Sequence, residues 1–258
     1  MRKQALRLGL VLWVAGMAGA AALTHALLPV LRATSPLPAA AVAGAALLQS
    51  AVLLAAAVWV GVVLGARLGL RAPFIEAVLE GKDAGPVWRA QLGPAVAVGG
   101  GSALFIVLTQ CAAPVPLLQG DSGARLPLVS RMLYGGLTEE ILLRWGLMVL
   151  LAWAAWRVLQ SGRGSPAGIG FVLAAIVSAV IFGLGHVPAA AGLGVDITVP
   201  VVLYITAANF VPGLLFGLLF WRRGLEAACI AHMLAHVGME LGAVLGAGRL
   251  FCAERLAG

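Results

Sequence analysis

Seven long apolar stretches constrain the fold of this chain more than any other feature. They lie near residues 5–30, 38–66, 91–113, 127–157, 168–192, 197–220 and 225–247. A helix needs about 20 mostly apolar residues to cross the hydrocarbon core of a bilayer, and a spanning segment must satisfy its own backbone hydrogen bonds. The pattern predicts an all-α, polytopic transmembrane bundle of about seven helices, or eight if the segment from Leu126 to Gln160 breaks near Trp145 and Gly146.

The composition indicates a single membrane domain. Of the 258 residues, 62% are hydrophobic and only 10% are charged, which leaves no room for a separate soluble domain. We expect N-terminal transmembrane helices over 1–125 and a second group of spans over 126–248. The start of the chain also has features of a cleaved signal peptide, but its apolar run continues to Val30 and further spans follow, which favours a first spanning helix.

The distribution of basic residues predicts an orientation in the membrane. If the N-terminus is cytoplasmic and seven spans alternate, one side receives most of the basic residues, and the other receives only Arg32, Arg125, Arg131, Arg249 and Arg255. This is the positive-inside bias, so the net charge of +7 needs no nucleic-acid partner. We expect a multi-pass protein, of a bacterial inner membrane, with its N-terminus in the cytoplasm and its C-terminus outside.

A short amphipathic segment near 72–82 separates the second and third spans. Phe74, Ile75, Val78 and Leu79 form one apolar face of the helix that this segment predicts. Two interpretations remain open: an interfacial helix on the cytoplasmic membrane surface, and a loop helix packed on the bundle.

Several ionisable residues fall inside the predicted spans. A charge at the centre of a bilayer costs at least about 2.5–3.5 kcal/mol, so each such residue is a candidate for function. The residues are Glu139, Glu140 and Arg144 in the fourth span, His186 in the fifth, and His232, His236 and Glu240 in the last. Glu240 is instead interpreted, with Asn209, as a polar contact between helices.

Helical spacing distinguishes the two adjacent glutamates. Glu140 and Arg144 are four residues apart, so they share a helix face and are expected to form an ion pair. Glu139 is rotated by about 100° from Glu140 and has no cation three or four residues later on its own helix. Glu139 is therefore expected to find its partner on another helix and to act as a general base in a dry cavity.

The histidines also follow helical spacing. Phe182 lies one turn before His186, and Pro188 is expected to break or kink that helix just beyond. His232 and His236 lie on one face, where two imidazoles can hold a metal ion or donate to an oxyanion. Counting 1.5 Å per residue from the predicted cytoplasmic ends places Glu139 and His186 about 27 Å deep but His232 only about 10 Å deep, so either the predicted ends are wrong or the helices tilt and kink.

Three motifs in this order resemble the CPBP intramembrane proteases, the family of the CAAX prenyl protease Rce1 and the bacterial ABI-type glutamic endopeptidases. The motifs are E-E-x-x-x-R at Glu139, Glu140 and Arg144, F-x-x-x-H at Phe182 and His186, and H-x-x-x-(N/D) beginning at His232. The resemblance covers about Arg131 to Glu240, and it implies that 126–248 is a catalytic core.

The resemblance implies a role for each matched residue. Glu139 would activate the attacking water with His186, and His232 with the residue at 236 would stabilise the oxyanion. Glu140, Arg144 and Phe182 would support them. Such an enzyme hydrolyses a peptide bond in a membrane-tethered or membrane-embedded peptide or protein, without a covalent acyl intermediate and without a cofactor.

The chain departs from the family pattern at position 236, where it has His in place of Asn or Asp. A neutral imidazole still donates one hydrogen bond, so oxyanion stabilisation is retained in principle. One carboxylate and three imidazoles, from Glu139, His186, His232 and His236, also form a set of ligands that zinc accepts. Zinc dependence therefore remains an alternative to bare glutamate catalysis.

Two other functions remain as alternatives. A multipass transporter would use the same residues as a proton or metal relay, and would predict inverted repeats, which the sequence lacks. A catalytically silent family member would act as a scaffold or immunity protein, but every residue matched to water activation is present.

Overall fold

The structure is a computed structural model, and it describes residues 2–34, 36–119 and 126–246. Within these ranges the chain is all-α, without strands, as predicted. The described residues form ten α-helices: α1 Arg2–Thr34, α2 Ala39–Leu68, α3 Pro73–Leu79, α4 Gly85–Thr109, α5 Val115–Gln119, α6 Leu128–Leu133, α7 Val149–Gln160, α8 Gly168–Gly192, α9 Val199–Arg223 and α10 Leu225–Val244. Two π-helical segments, Tyr134–Glu139 and Ile141–Met148, join α6 to α7.

Seven helices in the described ranges are long and apolar enough to cross a membrane. They are Lys3–Val30, Ala39–Leu68, Gly85–Ala112, Leu128–Gln160, Gly168–Gly192, Val199–Arg223 and Leu225–Val244. The fourth of these is one continuous helix through Trp145 and Gly146, so the eight-span alternative is wrong. Basic residues Arg125, Arg249 and Arg255 lie outside the described residues. The predicted parts 1–125 and 126–248 also end outside them, at 120–125 and 247–248.

The fourth span, Leu128–Gln160, lies at the centre of the bundle. It contacts α1, α2, α8 and α10, and the pairs α1–α2, α4–α10 and α8–α9 pack around it. Its two π-helical segments carry Glu139 and Arg144, and Glu140 lies between them. π-Helical turns are rare and frequently occur at functional sites, because they change the direction in which side chains project.

Small residues allow close approach between the spans. A Cβ on Gly61 would lie 2.1 Å from Trp145 Nε1, and a Cβ on Gly183 would lie 2.6 Å from the Thr206 carbonyl oxygen. Both glycines are therefore required by the distance between neighbouring helices.

Helix α3 packs on the ends of the bundle. The backbone N–H of Ile75 donates to Glu226 Oε1 of α10 over 2.9 Å, and the Phe74 ring lies 5.3 Å from the Trp88 ring of α4. These contacts favour the interpretation of the 72–82 segment as a loop helix packed on the bundle.

Contacts along the spans explain the discrepancy in depth. Trp145 packs against Phe220 at 6.3 Å, and α9 ends within one turn of Phe220. The fourth span continues about 22 Å beyond this level to Gln160, at 1.5 Å per residue. The spans therefore end at different heights, and counting from their ends overestimates the depth of Glu139 relative to His232. Pro188 does not break its helix, because α8 continues to Gly192.

Candidate active site

Glu140 and Arg144 form a fully buried ion pair. Glu140 Oε2 lies 3.2 Å from Arg144 Nε, and neither side chain is exposed. The pair that the i, i+4 spacing predicts is thus present, although the segment is π-helical. Glu140 Oε1 also pairs with His232 Nδ1 over 2.9 Å, a contact between helices that spacing could not reveal.

Arg144 joins the fourth span to α8 and α9. Its Nη2 donates to the Gly213 carbonyl oxygen over 2.9 Å. Its guanidinium lies over the rings of Phe182 and Phe216, at 5.1 and 5.8 Å from their centroids. Arginine interacts favourably with aromatic faces, so the cation is stabilised without access to water.

His232 is held on several sides. Its ring stacks on Phe216 at 4.8 Å and meets the Phe182 ring edge-on at 5.8 Å. Because Glu140 is an acceptor when ionised, Nδ1 of His232 carries the proton of that hydrogen bond. The other nitrogen, Nε2, lies 3.8 Å from Glu139 Oε2, which is longer than a direct hydrogen bond. Glu139 thus lies beside an imidazole from another helix.

His236 stacks on His232, with ring centroids 5.1 Å apart and planes inclined by 17°. Its Nδ1 is buried and has no hydrogen-bond partner among the described residues. A Cβ on Gly135 would lie 2.6 Å from His236 Nε2 and 2.9 Å from His232 Nε2. The Nε2 atoms of both histidines therefore converge on Gly135.

His186 approaches the cluster from α8. Its Nδ1 lies 2.9 Å from the Phe182 carbonyl oxygen, and its ring meets the Phe182 ring edge-on at 4.7 Å. A carbonyl oxygen only accepts, so Nδ1 of His186 must donate. The neutral ring then has its lone pair on Nε2, where it can accept a proton or a hydrogen bond.

Two cavities meet at these residues. The first, of about 490 Å³, is mostly apolar and lies between α1, the fourth span and the end of α8. The second, of about 390 Å³, lies between α4, α9 and α10. Glu139 lines the first, His232 lines the second, and the residues that line both are Arg131, His186 and His236.

The structure adds residues that sequence reasoning missed. Gly135 is one turn before Glu139, and its position could have been noticed from that spacing. Arg131 of α6 forms an ion pair with Glu240 of α10, so Glu240 does connect helices. Asn209 lines the second cavity, and its Nδ2 donates to Ile205 of its own helix, so this bond makes no link between helices.

The side chains that could bind a metal ion are carboxylates, imidazoles and thiolates. In the described part of the chain, no group of three or more His, Cys, Asp or Glu side chains is arranged to hold a metal ion. The Nε2 atoms of His186 and His232 are chemically suitable as zinc ligands.

Comparison with known families agrees with the motifs. Residues 122–238 match the family model described as type II CAAX prenyl endopeptidase Rce1-like. This range contains Glu139, Glu140, Arg144, His186, His232 and His236. No curated protein and no solved structure matches the chain. The chain is therefore an integral, multi-pass membrane protein whose residues 122–238 are similar to the Rce1-like endopeptidases of the CPBP family.

Proposed function

We propose that this protein is an intramembrane endopeptidase that hydrolyses a peptide bond with a water molecule activated by Glu139. The observation that supports the proposal most is the convergence of Glu139, His186, His232 and His236 where two cavities meet. A carboxylate and three imidazoles provide both a base and hydrogen-bond donors. These are the two requirements of hydrolysis by an activated water molecule without a covalent acyl intermediate.

Glu139 and His186 are the proposed water-activating pair. The Glu139 carboxylate takes a proton from water, while the unprotonated Nε2 of His186 accepts a second hydrogen bond from the same water. The hydroxide adds to the carbonyl carbon of the peptide. Glu139 fits this role because its side chain is 19% exposed and lines a cavity, whereas Glu140 is fully buried.

His236 is the proposed principal oxyanion donor. No acceptor among the described residues lies within reach of its buried Nδ1, so a proton there would remain unpaired. The tautomer with the proton on Nε2 avoids that cost and directs a donor toward Gly135. His232 stacks beside it, and its Nδ1 proton is held by Glu140. His232 would therefore donate to the oxyanion only as an imidazolium, with a second proton on Nε2.

Breakdown of the tetrahedral intermediate completes the reaction. The C–N bond breaks, Glu139 returns its proton to the departing amine, and the carbonyl reforms as the new carboxyl group. Water supplies the added oxygen and both hydrogens. The proposed roles of Glu140, Arg144 and Phe182 are to hold His232 and His186 in position.

The proposed substrate is a membrane-tethered or membrane-embedded peptide or protein. The first cavity supports this proposal because apolar side chains such as Leu23, Leu27 and Leu193 line the approach to Glu139. A polar chain free in water would gain little from such a surface, whereas a segment held at the bilayer would remain in an apolar environment.

A cleavage assay tests this function. Purified protein in nanodiscs is incubated with a library of membrane-tethered peptides, and products are identified by mass spectrometry. We expect wild-type protein to cut a subset of peptides, Glu139→Ala to cut none, and the distant variant Glu80→Gln to cut like wild type.

A chelator arm of the same assay decides the metal question. We expect cleavage to continue in a strong zinc chelator. Loss of cleavage that zinc restores would instead assign Glu139 and the histidines as zinc ligands. If wild type cuts no peptide, the protease proposal is wrong and a relay in a transporter becomes the better account. If Glu139→Ala cuts as well as wild type, Glu139 does not activate the water.

A further inference from the structure

The fourth span and α10 face each other in three successive layers. Successive layers are one turn apart on each helix. The residue numbers fall along the fourth span and rise along α10, because the two helices are antiparallel here. From the inner to the outer layer the pairs are Glu139 with His232, Gly135 with His236, and Arg131 with Glu240.

The inner layer is fixed by hydrogen bonding. His232 Nδ1 is held by Glu140 over 2.9 Å, and Glu140 is in turn paired with Arg144. This end of the contact therefore has a defined geometry that does not depend on the outer layer.

The middle layer has no such anchor. His236 stacks on His232, but its Nδ1 has no hydrogen-bond partner in the described part of the chain. Its Nε2 lies against Gly135, where there is no side chain to hold it. The position of the His236 ring is therefore set by the register of the two helices.

The outer layer is an ion pair between the same two helices. Arg131 and Glu240 are about one-quarter and one-third exposed, and Arg131 lines both cavities. Each residue lies four positions from the middle layer, Arg131 before Gly135 and Glu240 after His236. The pair is thus a charged contact one turn from the middle layer, on the side away from Glu140.

We propose that the Arg131–Glu240 ion pair is a positioning device that sets the register of α10 on the fourth span and so places His236 Nε2 over Gly135. This inference rests on the proposed function for its catalytic consequence, but its structural content does not. The pair is part-buried and joins two helices, so its loss is expected to change their register.

The first readout is spectroscopic. The chain has four histidines, so labelling with ¹⁵N-histidine gives a spectrum with four imidazoles, which single-histidine variants assign. In Glu240→Gln and in Arg131→Gln, we expect the His236 resonances to shift or broaden most, those of His232 to change less, and those of His25 to stay as in wild type.

The charge-swapped double variant Arg131→Glu/Glu240→Arg provides the rescue. It restores the attraction with the positive and negative charges exchanged between the two helices, so we expect the wild-type His236 resonances to return. The matched control is Glu80→Gln, which removes a partner of Lys82 far from the site and leaves all four imidazoles unchanged.

The second readout is the rate of peptide cleavage. We expect each single variant to lower kcat by roughly tenfold to a hundredfold with little change in KM, because a displacement near 1 Å can cost about two orders of magnitude. The swapped variant is expected to recover most of this loss.

The two readouts separate this inference from the proposed function. The spectra need no substrate, so they decide the positioning role even if the protein cuts no peptide. An unchanged His236 in both single variants, equal changes in all four histidines, or a swapped variant that restores nothing would each overturn the inference.

Discussion

At the scale of single residues, two glutamates that are neighbours in the sequence have different surroundings. Glu140 is fully buried between Arg144 and His232, whereas the Glu139 carboxylate lines a cavity. Spacing alone predicted the Glu140–Arg144 pair and the shared face of His232 and His236. It could not predict the Glu140–His232 bond, because that contact depends on how two helices pack.

Gly135 is expected to tolerate no side chain. In Gly135→Ala the new methyl group would lie 2.6 Å from His236 Nε2 and 2.9 Å from His232 Nε2, so both rings must move. We expect peptide cleavage to fall by about a hundredfold or more, since a small displacement of catalytic groups has an effect of that size.

Gly100→Ala is the matched control, because a Cβ there meets nothing within 4 Å. Cleavage by this variant should equal that of wild type when both are assayed in the same nanodiscs. Wild-type activity in Gly135→Ala would show that the two Nε2 atoms do not act where the structure places them.

At the scale of helices, the winding of the fourth span is the feature that sequence reasoning missed. Glu139 and Arg144 lie on π-helical segments, with Glu140 between them, so the rotation of 100° between Glu139 and Glu140, which assumes a regular α-helix, does not apply. Nothing in the pattern of apolar residues distinguishes the two kinds of helix. The pattern also could not predict that α1 packs against the π-helical segment Tyr134–Glu139.

Helix α1 is expected to support the site through its glycines. A Cβ on Gly19 would lie 2.3 Å from the Leu133 carbonyl oxygen and 2.4 Å from Thr138 Oγ1. Thr138 Oγ1 also donates to the Gly16 carbonyl oxygen over 2.7 Å. In Gly19→Ala we expect a loss of about 1–3 kcal/mol in the free energy of unfolding, as in other overpacked contacts.

The measurement is thermal unfolding in detergent, with Gly44→Ala of α2 as the control, because a Cβ at that position meets nothing within 4 Å. An unchanged unfolding temperature in Gly19→Ala would mean that α1 is loosely attached.

At the scale of the whole molecule, the apolar stretches predicted seven spans, and the structure has seven in its described ranges. Hydropathy succeeds here because a spanning segment must be both long and apolar, and little else in a sequence is. The different heights at which spans end could not be predicted, since they follow from packing of the helices against one another.

The orientation of the bundle is predicted from the basic residues. Alkaline phosphatase folds only where disulfides form, so a fusion reports whether a loop reaches an oxidising compartment. When the fusions are expressed in a bacterium, we expect alkaline phosphatase fused after Gly194 to be active and alkaline phosphatase fused after Asp83 to be inactive. The reverse pattern would place the N-terminus outside.

The central claim is that Glu139 performs the chemistry while Glu140 holds the structure. The most direct test compares Glu139→Gln with Glu140→Gln in the same preparation, by the rate of peptide cleavage and by the free energy of unfolding. The account predicts that Glu139→Gln unfolds like wild type but cleaves about 10²- to 10⁴-fold more slowly, as expected for loss of a general base. It predicts that Glu140→Gln loses about 3–5 kcal/mol of stability, because Arg144 is left buried without its counterion. Substantial cleavage by Glu139→Gln, or equal loss of stability in both variants, would contradict the account.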